Sequence, residues 1–275
     1  MEQPKVLPAP SVASHLLPLL AVGVAALVFI SWVLNTPEGL LGKADAVGYA
    51  ICHRIDLRSF HLGSRQLPLC ARCTGIYLGV MGGILALAVL GRGRAGGLPR
   101  GGVLYVLLGF TALMGIDGVN SYLTFFPHLP HLYEPQNWLR LTTGALNGLT
   151  VAAFIVPVFN QTVWSNWDER LAVSWRELGA LILVGAVMIG LVLIENPIIL
   201  YPLALLSALG VVVLLTALFT SILLIVTRRA NRAVNWRGAF LPLVIGFTLA
   251  MLQIGLVDAL RYAVFQSWGG LVFPG

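Results

Sequence analysis

Residues 200–227 read LYPLALLSALGVVVLLTALFTSILLIVT, a run with no charged side chain that closes at Arg228-Arg229. About 20 predominantly apolar residues suffice to cross a bilayer as a helix, so this run predicts a membrane span. Working outward, six further stretches read the same way: Leu16–Leu34, Thr74–Gly91, Val103–Phe126, Asn137–Phe159, Leu178–Ile194 and Gly238–Ala263. Turn or breaker residues separate them, among them Asn35-Thr36-Pro37, Pro127 and Glu195-Asn196-Pro197. The expected fold is therefore all-α, a polytopic transmembrane helix bundle of about seven spans. Three segments follow from the pattern. Residues 1–48 hold an N-terminal span and linker, 49–160 a cysteine- and histidine-bearing segment with three spans, and 161–275 a three-helix extension.

Composition agrees. Of 275 residues, 58% are hydrophobic and 10% charged, against about 25% charged in soluble domains, and the mean hydropathy is +0.88. The formal charge of +6 is read as loop retention at a membrane face, and no basic stretch with interleaved aromatics suggests nucleic acid. The lipid bilayer is the expected partner. The first apolar stretch is too long for a typical signal-peptide core and lacks a small-x-small cleavage site, so it is expected to be a retained span.

Lys and Arg alternate unevenly between the two faces. Lys5, Arg92, Arg94, Arg100, Arg170, Arg176, Arg228, Arg229, Arg232 and Arg237 fall on one side, and Lys43, Arg54, Arg58, Arg65 and Arg72 on the other. The richer side is expected to be cytoplasmic. That places the chain in the cell (plasma or inner) membrane, with its N-terminus cytoplasmic and the cysteine segment and C-terminus extracytoplasmic.

Polar residues inside the spans gather at the cysteine-bearing end. Asp117 and Asn120, three apart, share a helix face. Arg140, Thr143, Gly144, Asn147 and Gly148 form one stripe on the next span, and Gln253, Asp258 and Arg261 lie in the corresponding half of the last. Ionisable groups in hydrocarbon face a cavity or one another. Two readings stay open: simple pairing of Asp117 with Arg140 and Asp258 with Arg261, or a shared polar cavity. In the second, Asp117, Asn120, Arg140 and Asn147 are the candidate substrate-lining and catalytic residues. The opposite halves of the spans hold almost nothing comparable.

The chain has three cysteines, Cys52, Cys70 and Cys73, an odd number in one segment that points to metal or redox chemistry rather than a disulfide framework. Cys70-x-x-Cys73 directly precedes a helix, a spacing that lets two thiolates hold one metal ion; the helix N-terminus and Arg72 both favour thiolate. Cys52 is a third ligand candidate, and His53, His61, His128 and His131 are candidates for a fourth. Three cysteines and a histidine are a common closed zinc set. A structural zinc site, a redox-active Cys70–Cys73 pair and a catalytic metal facing the polar cavity all remain open. Arg54, Arg58 and Arg72 are candidate binders of an anion such as a phosphate or lipid headgroup, or residues snorkelling to the interface. Gly75, Gly79, Gly82 and Gly83 are expected to serve close helix packing. His15 and several tryptophans near span ends read as interfacial.

The Cys52-His53 start, Arg58-Ser59-Phe60, and Pro68-Leu69-Cys70-Ala71-Arg72-Cys73-Thr74-Gly75-Ile76-Tyr77, with Asp117-Gly118 and the Arg140…Gly144…Gly148 stripe, resemble the membrane-protein family known as domain of unknown function 2085. The resemblance covers Tyr49–Val151. It implies a membrane location and marks these residues, but brings no activity with it. P-loop, Rossmann, Gly-x-Ser-x-Gly and H-E-x-x-H signatures are absent. A membrane metalloprotein, in its catalytic form an enzyme on a lipid-borne or phosphorylated substrate, a thiol–disulfide oxidoreductase, and a transporter or accessory subunit are the functional classes compatible with the sequence.

Overall fold

A computed structural model describes residues 12–126 and 128–270, with side chains from Leu16 onwards; Lys5 and the His15 side chain lie outside the described residues. Among the described residues eight helices follow in order: α1 Val12–Leu34, α2 Gly39–Ile51, α3 Ala71–Val89, α4 Gly102–Leu123, α5 Asn137–Val163, α6 Trp175–Leu193, α7 Pro197–Val226 and α8 Trp236–Phe265. All but α2 are long and apolar enough to cross a membrane. Their outer faces carry apolar side chains that water would not tolerate, such as Leu27 at 70% exposed and Val226 at 75%; lipid solvates them.

Helix boundaries follow local chemistry. Cys70 is the last extended residue before α3 (φ −64°, ψ 162°), so Cys73 falls inside the first turn and the helix starts at Ala71, not Thr74. Proline suits a first helical position because its missing N–H would have no intrahelical acceptor; hence α7 begins at Pro197, with the Asn196 side chain accepting from the Ile198 amide at 2.9 Å. Asn235 caps α8 in the same manner. Helix α2 stops at Ile51. Cys52 is extended (φ −126°, ψ 144°) and Arg54 takes a left-handed conformation (φ 52°), which turns the chain inward before a single 3-10 turn at Asp56–Arg58. The short hairpin β1 His61–Leu62 and β2 Arg65–Gln66 then leads back to α3.

The spans alternate in direction. The starts of α3, α5 and α7 meet the ends of α1, α4, α6 and α8 at one end of the bundle, together with α2 and the hairpin. Contacts there are direct: Asn137 Nδ2 donates to the Leu57 and Ser59 carbonyls at 3.3 Å, and Phe60, Leu67 and Ala71 pack with Val192, Leu200 and Leu203. At the opposite end, β3 Ala95–Gly97 pairs in parallel with β4 Asp168–Leu171. That end is more polar than expected. Arg92 pairs with Glu177 at 2.8 Å, Asn160 Nδ2 donates to the Ala95 carbonyl at 2.9 Å, and Thr162 donates to Ser221 at 3.0 Å. Scattered single polar residues gave no stripe to read.

Helices α3 and α5 pack backbone to backbone. A Cβ on Gly79 would stand 2.5 Å from the Ala145 carbonyl oxygen, and one on Gly144 or Gly148 would run into the Arg72 or Ile76 carbonyl. Without a hydrophobic driving force in lipid, small residues permit such van der Waals contact. Gly144 and Gly148 therefore belong to the α3 interface rather than to a cavity wall. A larger residue here overpacks, costing about 1–3 kcal/mol or more. Gly79→Leu is expected to lower the thermal unfolding midpoint in detergent by several degrees or to prevent folding, while Gly109→Ala, with open space around it, is expected to leave it unchanged.

Candidate metal centre

The three thiols come together where the turn after α2 meets the start of α3. The Sγ atoms of Cys52, Cys70 and Cys73 lie within 4.8 Å of one another, and all three are free. The extended, inward turn at Cys52 points its sulfur at two backbone donors, the amides of Arg54 and Cys70, each at 3.4 Å. Donors of this kind favour sulfur that carries negative charge. Cys52 is also held from its backbone side: Arg261 of α8 donates to its carbonyl at 2.8 Å and to that of Tyr49, and stacks 4.0 Å over the Tyr49 ring.

Three thiols so close compete for charge. Hydrogen bonds from Cys52 and Cys73 draw the Cys70 thiol well below its ordinary range, and Cys52 is pushed up to about 11, first by its bond with Cys70. A divalent cation would relieve this competition and favour ionisation of all three.

Among the described residues no histidine joins the sulfurs. His53 follows Cys52 in extended chain, where successive side chains point to opposite faces; with Cys52 buried, His53 is exposed. His61 Nε2 lies 2.9 Å from Asp56 and His131 Nε2 2.8 Å from Glu134, while His128 is exposed. The expected fourth imidazole is thus not among the groups brought together.

The polar residues of the spans form a hydrogen-bonded network beside the thiols. Asp117, 1% exposed, pairs with Arg72 rather than Arg140, accepting from both its Nε and Nη2. Its other oxygen accepts from the Tyr133 hydroxyl at 2.9 Å. Asn120 is occupied by the same loop: Oδ1 accepts from the Leu132 amide at 2.6 Å and Nδ2 donates to the Tyr133 carbonyl at 2.9 Å. Asn147 lies deeper and accepts from Thr111 at 3.0 Å. Asp258 likewise pairs otherwise than expected, accepting from the Trp32 indole at 2.9 Å. Asp117 and Asn120 are thus anchors of a loop and a helix.

The arginines divide into two kinds. Arg54 is neutralised by Asp45 at 2.9 Å, which also holds Arg65 at 2.7 Å; Asp45, on α2, escaped the sequence reading because a single acid on a short helix carries no pattern. Arg58 and Arg140, in contrast, have no carboxylate within 4 Å among the described residues and converge on Ser121. Arg58 donates to its carbonyl at 2.9 Å, and Arg140 to its hydroxyl at 2.9 and 3.1 Å. Burial, then the charges of Arg140 and Arg72, bring the Arg58 guanidinium down to about 10. Excess positive charge is concentrated next to the thiols.

A buried-thiol site fed by an intramembrane ion-pair network, on a bundle of apolar helices, defines a membrane protein with a cysteine cluster that could hold a metal ion. The chain belongs to the family of predicted membrane proteins designated DUF2085, whose profile matches residues 52–154. It is 31% identical over 122 residues to an uncharacterised protein of Methanocaldococcus jannaschii, covering 44% of this chain and 72% of that one. It is 36% identical over 84 residues to an uncharacterised protein of Methanothermobacter thermautotrophicus, covering 29% and 76%. No solved structure matches the chain significantly.

Removing one partner of a buried ion pair strands the other charge at about 3–5 kcal/mol. Asp117→Asn is accordingly expected to destabilise the protein by about 3 kcal/mol in a denaturant or thermal titration, and the double variant Arg72→Gln/Asp117→Asn to recover part of that loss. Additive losses would show that the two side chains act independently.

Proposed function

We propose that this protein is a membrane metalloprotein in which Cys52, Cys70 and Cys73 hold one zinc ion. The observation that carries the proposal is the meeting of three sulfurs, from chain positions up to 21 apart, within 4.8 Å. Tetrahedral zinc with Zn–S near 2.3 Å places sulfurs about 3.8 Å apart, and two amide donors on Cys52 suit a metal-bound thiolate. Three protein ligands leave a fourth position, the arrangement of sites that bind water or substrate.

Arg58 and Arg140 support a second element of the reading, an anion site. Both converge on Ser121 with no carboxylate within 4 Å among the described residues, and guanidinium groups recognise phosphate and carboxylate geometry. A phosphorylated substrate carried on a lipid fits a site at the end of a membrane bundle, and Asp117 and Asn120 act by holding the surrounding loop and helices. The 49–160 segment is the family-like core, to which 1–48 and 161–275 add flanking spans. The distribution of Lys and Arg favours a cell-membrane location with the N-terminus cytoplasmic and the cysteine end outside.

The lowered Cys70 thiol also suits thiol–disulfide exchange with Cys73. The two readings separate in one experiment. Protein purified in neutral detergent and loaded with stoichiometric zinc is expected to retain about one zinc per chain by elemental analysis, and Cys52→Ser or Cys73→Ser to lose it. Because zinc binds thiolate, affinity is expected to fall as pH is lowered. Folded protein that retains no transition metal, with a Cys70–Cys73 disulfide that titrates reversibly, would overturn the metal reading in favour of the redox one.

A further inference from the structure

A cavity of about 890 Å³ opens in the half of the bundle away from the cysteines. Its walls, from α3, α5, α7 and α8, are apolar, with Ile155, Leu209, Val213 and Phe247 among them. Two of its lining residues carry a buried polar atom without a hydrogen-bond partner, Arg94 Nη1 and Thr216 Oγ1. Most buried polar atoms are satisfied, so two such donors in one cavity ask for an acceptor from outside the protein.

The charge at Arg94 has no internal counterpart. Its guanidinium lies 3.6 Å over the Trp164 ring, and among the described residues no carboxylate stands within 4 Å. Of the acids of that end, Asp168 pairs with Arg170 at 2.8 Å and Glu177 with Arg92 at 2.8 Å, and Glu169 is exposed on β4, more than 4 Å from the Arg94 guanidinium. The size suits a drug-sized or single-chain ligand, since such pockets run to about 300–1,000 Å³. A soluble anion would satisfy Arg94 but leave the apolar walls uncovered. An uncharged chain would cover the walls but leave Arg94 unpaired.

We propose that this cavity binds an acyl chain of an anionic phospholipid from the surrounding bilayer, with the headgroup phosphate on Arg94 and the chain along the apolar walls. The position agrees with the ligand. Arg94 sits just before β3, at helix ends where Trp164 and Trp236 pack at 4.8 Å between ring centres, and interfacial aromatics mark headgroup level. This site is separate from the cysteine cluster and does not depend on the metal reading.

The test uses the full chain in phosphatidylcholine vesicles, titrated with phosphatidic acid bearing brominated acyl chains, which quench nearby tryptophans. Quenching is expected to saturate at a lipid fraction about fivefold lower than with brominated phosphatidylcholine, the preference that about 1 kcal/mol per basic residue gives. Arg94→Gln is expected to abolish the preference, and Arg229→Gln, an exposed arginine at the same end, to keep it. Val213→Phe, which fills the cavity without touching charge, is expected to abolish saturable quenching and decides the matter if Arg94→Gln does not fold. Equal quenching by both lipids, a preference kept in Arg94→Gln or Val213→Phe, or an equal loss in Arg229→Gln would overturn the proposal.

Discussion

Arg72 stands between Cys70 and Cys73 at the first turn of a membrane helix, and its charge must be met there. An unpaired ion in hydrocarbon costs at least about 2.5 kcal/mol. It is met by Asp117 of α4, whose second oxygen takes the Tyr133 hydroxyl, while the Arg72 carbonyl lies against Gly144 of α5. One residue thus joins α3, α4 and α5 and fixes the start of α3. The two cysteines on either side of it are placed by that junction.

The third cysteine is placed from elsewhere. Arg261 holds the Cys52 carbonyl, and Arg54, two residues on, donates to the Trp268 carbonyl at 3.0 Å. Both partners lie beyond residues 52–154, the stretch shared with the family. The final helix and the chain after it therefore buttress the thiol cluster, and α8 is tied to α1 through Trp32 and Asp258. The flanking spans contribute to the geometry of the core they enclose.

Much of this was legible in the residues. Long apolar runs can be satisfied only as helices in lipid, so the seven spans could be found by length and composition, and counting them put the cysteines and Asp117 at one end. What periodicity supplies is a face, not a neighbour. Asp117 and Arg140 share an end of the bundle, yet Arg72 reaches Asp117 first. The Gly144 and Gly148 stripe was visible, but only packing reveals that it meets α3 backbone instead of a cavity. The histidines were indistinguishable as ligands until the extended backbone at Cys52 turned His53 outward. Asp45 and Arg94 belong to no repeating pattern, and their roles emerge only from what stands near them.

The bundle carries different chemistry at its two ends: soft sulfur with surplus guanidinium at one, and an apolar cleft beside Arg94 at the other. The ligand set at the first end decides what that chemistry is. X-ray absorption at the zinc edge on the loaded, detergent-purified protein measures it directly. Three sulfur neighbours near 2.3 Å and one lighter atom at about 2.0–2.2 Å, without the outer-shell signature of imidazole, is the predicted spectrum. A first shell with no sulfur, or one that contains imidazole, would contradict it.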